Sequence, residues 1–325
     1  MGGAGAGRDL SAQRVVISGR VLYGGPPPGG RPVARTWVVL HRVTMGGGGG
    51  PVDSTRTDGR GAFHLAITPA DTSAIYVVSS WYSGLAYFSE PLTAPHPTVE
   101  LRPLLVYDTT SRGSEIQVAR RLVTVAKAKP DGTRDALELV ELVNPGAKTR
   151  IAADTTQPTW SGAVPREAIQ FQVGQGDLSA QAVALRGDRV AVFGPIPPGD
   201  PKQLSYAYVL PAGVERLALP IDQATAELDL LLEDTAAVVT AAPLDTLGVQ
   251  SLEGRRFARY RARPVPAAAG VTVAFADRRG LRAEQLVPYV VAGAALVLGA
   301  GFVMALRRKT PSAVSHQPSA TADSR

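Results

Sequence analysis

Asp53-Ser54-Thr55-Arg56-Thr57-Asp58-Gly59-Arg60-Gly61-Ala62-Phe63-His64-Leu65-Ala66-Ile67 sets two strand-like runs on either side of an Asp-Gly step. An Asp-Gly step between two strand-like runs is a strong hairpin signal. The Asp carboxylate bonds the turn backbone, and Gly reaches positive φ without a Cβ clash. The run therefore predicts two short strands around a tight turn, with the aromatic of the second strand entering a core. Its surroundings have the same texture. Val15–Leu22, Thr36–Val43, Ala74–Ser80 and Gly84–Phe88 read as strands, separated by a Gly24–Pro32 loop and by five consecutive glycines, Gly46 to Gly50, which predict a loop.

The whole chain supports an all-β reading. Gly (34) and Pro (26) together make up nearly one residue in five of the 325, which disfavours long helices and favours short strands joined by turns. Arg121 to Lys127 alternates, Pro130-Asp131-Gly132 is a turn, and Ala136–Val143 fits a strand or two helical turns. Arg186-Gly187-Asp188 lies between Ala182–Leu185 and Val190–Phe193 as a hairpin tip. Further along, Leu204, Tyr206, Tyr208 and Leu210 alternate, as do Leu217, Leu219 and Ile221, and Val271, Val273 and Phe275. Arg259, Arg261 and Arg263 share one strand face, either a solvated one or one able to meet anionic lipid headgroups. These observations predict two or three β-sandwich domains: residues 14–105, residues 106–200 and residues 201–280, the last two separable or forming one larger unit.

The first of these segments resembles the carboxypeptidase regulatory-like domain, a transthyretin-like sandwich related to starch-binding-like modules. The resemblance rests on Ile17-Ser18-Gly19-Arg20-Val21 as the opening strand, Val38-Val39-Leu40 as a buried strand, and Thr57-Asp58-Gly59-Arg60-Gly61-Ala62-Phe63 as the T-D-x-x-G-x-[FY] turn. It covers about 90 residues and implies a non-catalytic accessory module. The Pro-rich loop and the glycine run depart from the family's compact hairpins, so no loop function carries over.

At the other end, Leu286 to Leu306 (LVPYVVAGAALVLGAGFVMAL) holds 21 residues without a charge. As a helix it would span about 30 Å, the thickness of a bilayer's hydrocarbon core, which predicts a single C-terminal transmembrane α-helix over 286–306 and a tail at 307–325. Arg307, Arg308 and Lys309 follow at once, against Arg278, Arg279 and Arg282 before the span. This favours a cytoplasmic C-terminus and an exported body at the inner (plasma) membrane, with a tail-anchored, cytoplasmic body as the alternative. Ala295 and Gly299 have the small-x-x-x-small spacing that lets two helices pack as a homodimer. Residues 1–13 read as a flexible leader, or as a signal-cleavage remnant at Leu10-Ser11-Ala12-Gln13.

Chemistry-bearing patterns are scarce. There is no cysteine, which excludes disulfide frameworks, zinc ribbons and redox pairs. The four histidines (His41, His64, His96 and His316) form no metal-binding spacing, and neither a nucleophile elbow nor a phosphate loop occurs. No metal, cofactor or catalytic residue is therefore expected. The net charge of +6 comes mostly from Arg (29 against 5 Lys), within an Arg, Ala, Gly and Pro bias common in GC-rich bacterial genomes. No basic run interleaves with aromatics, so nucleic acid is not an expected partner. The densest aromatic group is Trp81, Tyr82, Tyr87 and Phe88. Trp81, Tyr82 and Tyr87 are the candidate ligand-binding residues, since exposed rings stack on sugar faces; the plainer reading packs Trp81 in the core. The expected function is a non-catalytic single-pass membrane protein that binds or scaffolds in the cell envelope. The alternatives are a tethered carbohydrate-binding module and an accessory subunit of an envelope biogenesis complex; the expected partners are the lipid bilayer and an envelope protein or polysaccharide.

Overall fold

A computed structural model describes residues 14–25, 30–43, 49–68, 74–93, 96–240 and 244–276. The described chain is all-β, its one helical element a 3-10 turn at Ala180–Ala182. The 286–306 span, the Ala295/Gly299 spacing, the flanking arginines, His316, the 307–325 tail and the 1–13 leader lie outside the described residues. Among the described residues no helix is long and apolar enough to cross a membrane.

The first body is built on six main strands: β1 (Val15–Tyr23), β2 (Trp37–Val43), β3 (Gly49–Arg56), β4 (Ala62–Ile67), β5 (Ile75–Tyr82) and β6 (Leu85–Phe88). One five-stranded sheet centres on β1, which pairs antiparallel with β4 and Arg31–Pro32 and parallel with Thr98–Glu100 and Leu104–Val106. The other runs β3-β2-β5-β6, with Leu92–Thr93 added to β5. The predicted hairpin across Asp58-Gly59 does not form. Strand β3 pairs with β2 and β4 pairs with β1, so the turn carries the chain from one sheet to the other. Its local chemistry is as read: Asp58 Oδ1 accepts from the Arg60 and Ala62 N–H groups at 2.8 Å each, and Gly61 sits at φ 73°. A tight Asx turn fixes only the reversal of the chain, and either a ladder or a sheet change satisfies it. Gly49 and Gly50, read as loop, instead extend β3 opposite Val43 and Arg42.

Alternation places Val15, Ile17, Phe63, Leu65 and Ile67 of one sheet against Val38, Leu40, Tyr76 and Val78 of the other, all nearly solvent-free. Phe63 packs over Gly19, where a Cβ would lie 2.7 Å from its ring.

Beyond Val106 one seven-stranded sheet dominates. Its strands are β7 (Gln117–Val125), β8 (Arg134–Val143), β10 (Ile169–Val173), β13 (Lys202–Leu210), β15 (Thr225–Leu232), β17 (Asp245–Leu252) and β18 (Arg255–Ala262), in the order β10-β13-β8-β7-β15-β18-β17. Only β7 and β15 run parallel. Ala136–Val143, open between helix and strand in the sequence, lies within β8. Two three-stranded sheets accompany it: β9 (Trp160–Ala163), β12 (Arg189–Val192) and β11 (Val183–Arg186), then β14 (Arg216–Leu219), β19 (Val271–Ala274) and β16 (Val238–Thr240). Strands from both sides of residue 200 share the large sheet and one buried cluster, which includes Val123, Leu142, Val190, Tyr206, Leu217, Leu230 and Val273.

Candidate functional site

The outer face of the β3-β2-β5-β6 sheet is where the first body is bare. Side chains alternate across a strand, so β2 turns Val38 and Leu40 inward and Trp37 outward. On β5, Trp81 points out and is 62% exposed, and on β6 Phe88 points out and is 60% exposed. The register pairs Val38 with Ser80 and Trp81 with Ala86, so Trp37, Trp81 and Phe88 stand on three adjacent strands of one face. Strand spacing of about 4.8 Å makes them neighbours. The Thr36 hydroxyl ties the edge of β2 to the Trp81 carbonyl at 2.9 Å.

Polar groups border these rings. Arg56, opposite Trp37 in the ladder, lays its guanidinium over the Trp37 ring at 4.4 Å from the centroid and donates to the Arg35 carbonyl at 3.2 Å. His41 Nε2 and Ser79 Oγ lie 2.8 Å apart on the same face. Trp37 is thus partly capped by a cation, whereas Trp81 and Phe88 are open platforms.

The three predicted binding residues are not brought together. Trp81 is a surface residue, so its core-packing reading does not hold. Tyr82, its neighbour in the strand, faces the opposite way; its ring lies 6.1 Å from that of Tyr23, and its hydroxyl donates to Asp108 at 3.4 Å. Burial and the Asp108 carboxylate push the Tyr82 phenol above its ordinary pKa. Tyr87 is buried; its hydroxyl donates to the Tyr107 carbonyl at 2.8 Å and lies 2.8 Å from the Thr149 hydroxyl, which joins the first body to the second. Trp37 takes their place in the site. It lies 44 positions before Trp81, and only strand pairing brings the two onto one face. Alternation within each strand separates Trp81 from Tyr82 and Tyr87 from Phe88, and the hairpin register, Trp81 opposite Ala86 and Ser79 opposite Phe88, puts Trp81 and Phe88 on the same face.

The large sheet carries two charge networks on opposite faces. Inside, Glu138 has no solvent exposure and accepts from Arg121 Nε at 2.7 Å and from the Tyr206 and Tyr208 hydroxyls at 2.9 Å each. Arg121 also donates to the Pro220 carbonyl at 2.6 Å. Burial works against the Arg121 charge, but Glu138 outweighs it and keeps the guanidinium protonated; burial, reinforced by Glu138, pushes both tyrosine phenols far up. A cavity of about 10 Å³ beside Arg121, lined also by Trp160 and Gln223, has room for about one water molecule and excludes any larger ligand.

Outside, Asp229 is fully covered by arginines. Arg261 donates to it through Nε at 2.9 Å and Nη2 at 3.1 Å, Arg259 through Nε at 3.1 Å and Nη2 at 3.0 Å, and Arg120 through Nη2 at 3.1 Å. Arg263 pairs with Glu227. Burial alone would raise the Asp229 pKa, but hydrogen bonds led by Arg261 and Arg120 hold it well below the usual carboxylate range. The ladder also sets Glu141 opposite Arg120 and Asp245 opposite Arg261. Four arginines are therefore held by two carboxylates, Asp229 and Glu227, with Glu141 and Asp245 as their neighbours across the ladder.

Among the described residues no group of three or more His, Asp or Glu side chains is placed to hold a metal ion. No protein-family model matches the chain, and no curated protein matches it. Two crystal structures of a glutamate-to-alanine mutant of an M1 zinc metallopeptidase from Deinococcus radiodurans, one with a Tyr-Ser-Ala substrate bound, are similar at TM-score 0.33. They share 12% and 13% identity and cover 49% and 53% of this chain against 42% and 45% of their own. A 9R-lipoxygenase from Cyanothece PCC8801 is similar at TM-score 0.21 and 13% identity, over 36% of this chain and 20% of its own. The chain spans less than half the length of these structures, and the likenesses are too slight to carry an activity.

Proposed function

We propose that this is a non-catalytic binding protein whose first body, a β-sandwich of the carboxypeptidase regulatory-like kind, holds a polysaccharide on its outer aromatic face. One observation carries the reading: Trp81 and Phe88 are each about 60% exposed on the same sheet face, beside Trp37. Leaving such large rings in water is unfavourable by roughly 1.5–3 kcal/mol each relative to burial, and a cluster of them marks a binding surface. A row of rings edged by hydroxyl, imidazole and guanidinium groups suits pyranose rings, whose C–H faces meet the negative ring face while their hydroxyls reach polar neighbours.

In this reading residues 286–306 anchor the body to the inner membrane, with the tail at 307–325 in the cytoplasm and the body in the envelope. The test is retention of the purified full chain on immobilised polysaccharides, with Trp81→Ala and Phe88→Ala alongside. Retention lost in both variants is the expected result; equal retention of variants and parent sinks the reading.

A second reading, scaffolding of an envelope protein, has its own observation. Strand β17 is the edge of the large sheet and exposes Leu247, Val249 and Leu252. Such an edge suits an added strand from a partner.

A further inference from the structure

We infer that the aromatic face selects a carboxylate-bearing polysaccharide, a polymer of uronic acids, and that Arg56 is the specificity-determining residue. The inference rests on the polysaccharide reading above and goes beyond it by fixing the charge class of the polymer.

The argument starts from which charges the face holds. Arg56 is exposed and held in place by Trp37 beneath it and the Arg35 carbonyl beside it. Among the described residues it has no carboxylate partner. It differs in this from Arg120, Arg259, Arg261 and Arg263, all of which are bound to Asp229 or Glu227. Glu90, two residues after Phe88, is paired with Arg102, and Asp53 and Asp58, on either side of Arg56 in the chain, accept from backbone N–H groups. Among the described residues, Arg56 is therefore a preorganised guanidinium on this face with no carboxylate bound to it. A guanidinium presents forked donors that match a carboxylate in two parallel hydrogen bonds. Held against an aromatic ring, it loses little side-chain freedom on binding.

Its position fits the chemistry. Arg56 and Trp81 stand on either side of Trp37 in the order β3-β2-β5, two strand spacings or about 9.6 Å apart. With one sugar stacked on Trp81, the next unit of the polymer comes to the Arg56 guanidinium, where a uronate carries its carboxylate in place of the neutral hydroxymethyl group. Longer-range charge acts in the same direction. Residues 14–105 contain eight arginines and five carboxylates, an excess of three, which is half the chain's net +6. A basic body attracts a polyanion, the more so at low salt.

Polygalacturonate and a neutral β-glucan are titrated separately into the purified full chain at low and moderate salt. The parent should bind polygalacturonate about tenfold more tightly, and the preference should shrink as salt rises. Arg56→Gln should abolish the preference, weakening polygalacturonate about tenfold more than the neutral glucan. Arg56→Lys, which keeps the charge and loses the fork, should restore only part of it. Trp81→Ala should weaken both polymers together. Equal affinity of the parent for the two polymers, or an undiminished preference in Arg56→Gln, overturns the charge selectivity and leaves the platform standing. Failure of the parent to bind either polymer, or a Trp81→Ala variant that binds both like the parent, overturns the platform and the selectivity with it.

Discussion

Two outer sheet faces of this protein have been treated in opposite ways. The face of the large sheet gathers four arginines and spends their hydrogen bonds on Asp229 and Glu227. The face of the first body sets out Trp37, Trp81 and Phe88 with Arg56 laid over Trp37. In sequence the arginine triplet is the more conspicuous motif, because its members recur at every second residue. In space it is the closed one. A polar or apolar surface is available for binding only when its own neighbours have not already satisfied it, and that is decided across strands. If the contrast is right, substitutions should grow milder in the order inner faces, arginine face, aromatic face.

The largest effect belongs to the buried side of the arginine-bearing sheet. Glu138→Ala leaves the Arg121 guanidinium and two phenol hydroxyls without their common partner in a solvent-free core. The expected cost is about 5 kcal/mol, the upper end for a broken buried pair, read as a shift in the urea midpoint of the full chain. A loss under 2 kcal/mol would mean that water reaches Arg121.

On the buried side of the aromatic-bearing body, Phe63→Ala should cost about 4 kcal/mol, because the ring is 2% exposed and packed against Gly19. An unchanged melting curve would remove Phe63 from the core and weaken the sandwich reading.

Asp229→Asn tests the arginine face itself. It keeps the shape and removes the charge that three guanidiniums share, so about 2 kcal/mol should be lost at pH 7. The pH dependence has a definite sign. The folded-state pKa of Asp229 lies below its unfolded value of about 3.9. The stabilisation is therefore fully present above pH 5 and fades as pH falls through and below 4. The gap between parent and variant should stay level from pH 5 to 8 and narrow progressively below pH 4; a gap that widens on acidification would show that Asp229 is not the anchor.

How much of this was legible in the chain follows from what each feature depends on. The all-β character, the buried rows on β1, β2 and β13, the Arg186-Gly187-Asp188 hairpin and the Asp58 turn depend on neighbours in sequence, and all can be read there. The sheet change at Asp58-Gly59 could not be, because a turn specifies reversal and leaves the pairing partner open. Asp229 gave no signal either: it stands within Leu228–Leu232 and gains its partners from β7 and β18, more than 100 and about 30 residues away. Trp81 was found for its ring, while its companion Trp37 waited on the β2–β5 register. The pairing of Tyr82 with Trp81 was avoidable, since alternation alone sends adjacent residues to opposite faces.

The smallest effect on stability should come from the aromatic face, and its smallness is the point. Trp81 buries little of its ring, and the Thr36 hydroxyl bonds its backbone carbonyl, which any residue would keep. Trp81→Ala should therefore move the unfolding free energy by no more than about 0.5 kcal/mol, the range of surface substitutions away from special features. A loss that small would mean that Trp81 takes almost no part in holding the body together, as the proposed binding face requires. A measured loss of 2 kcal/mol or more would instead make Trp81 a structural lid on the sheet, and the two outer faces would then differ only in the chemistry by which each is closed.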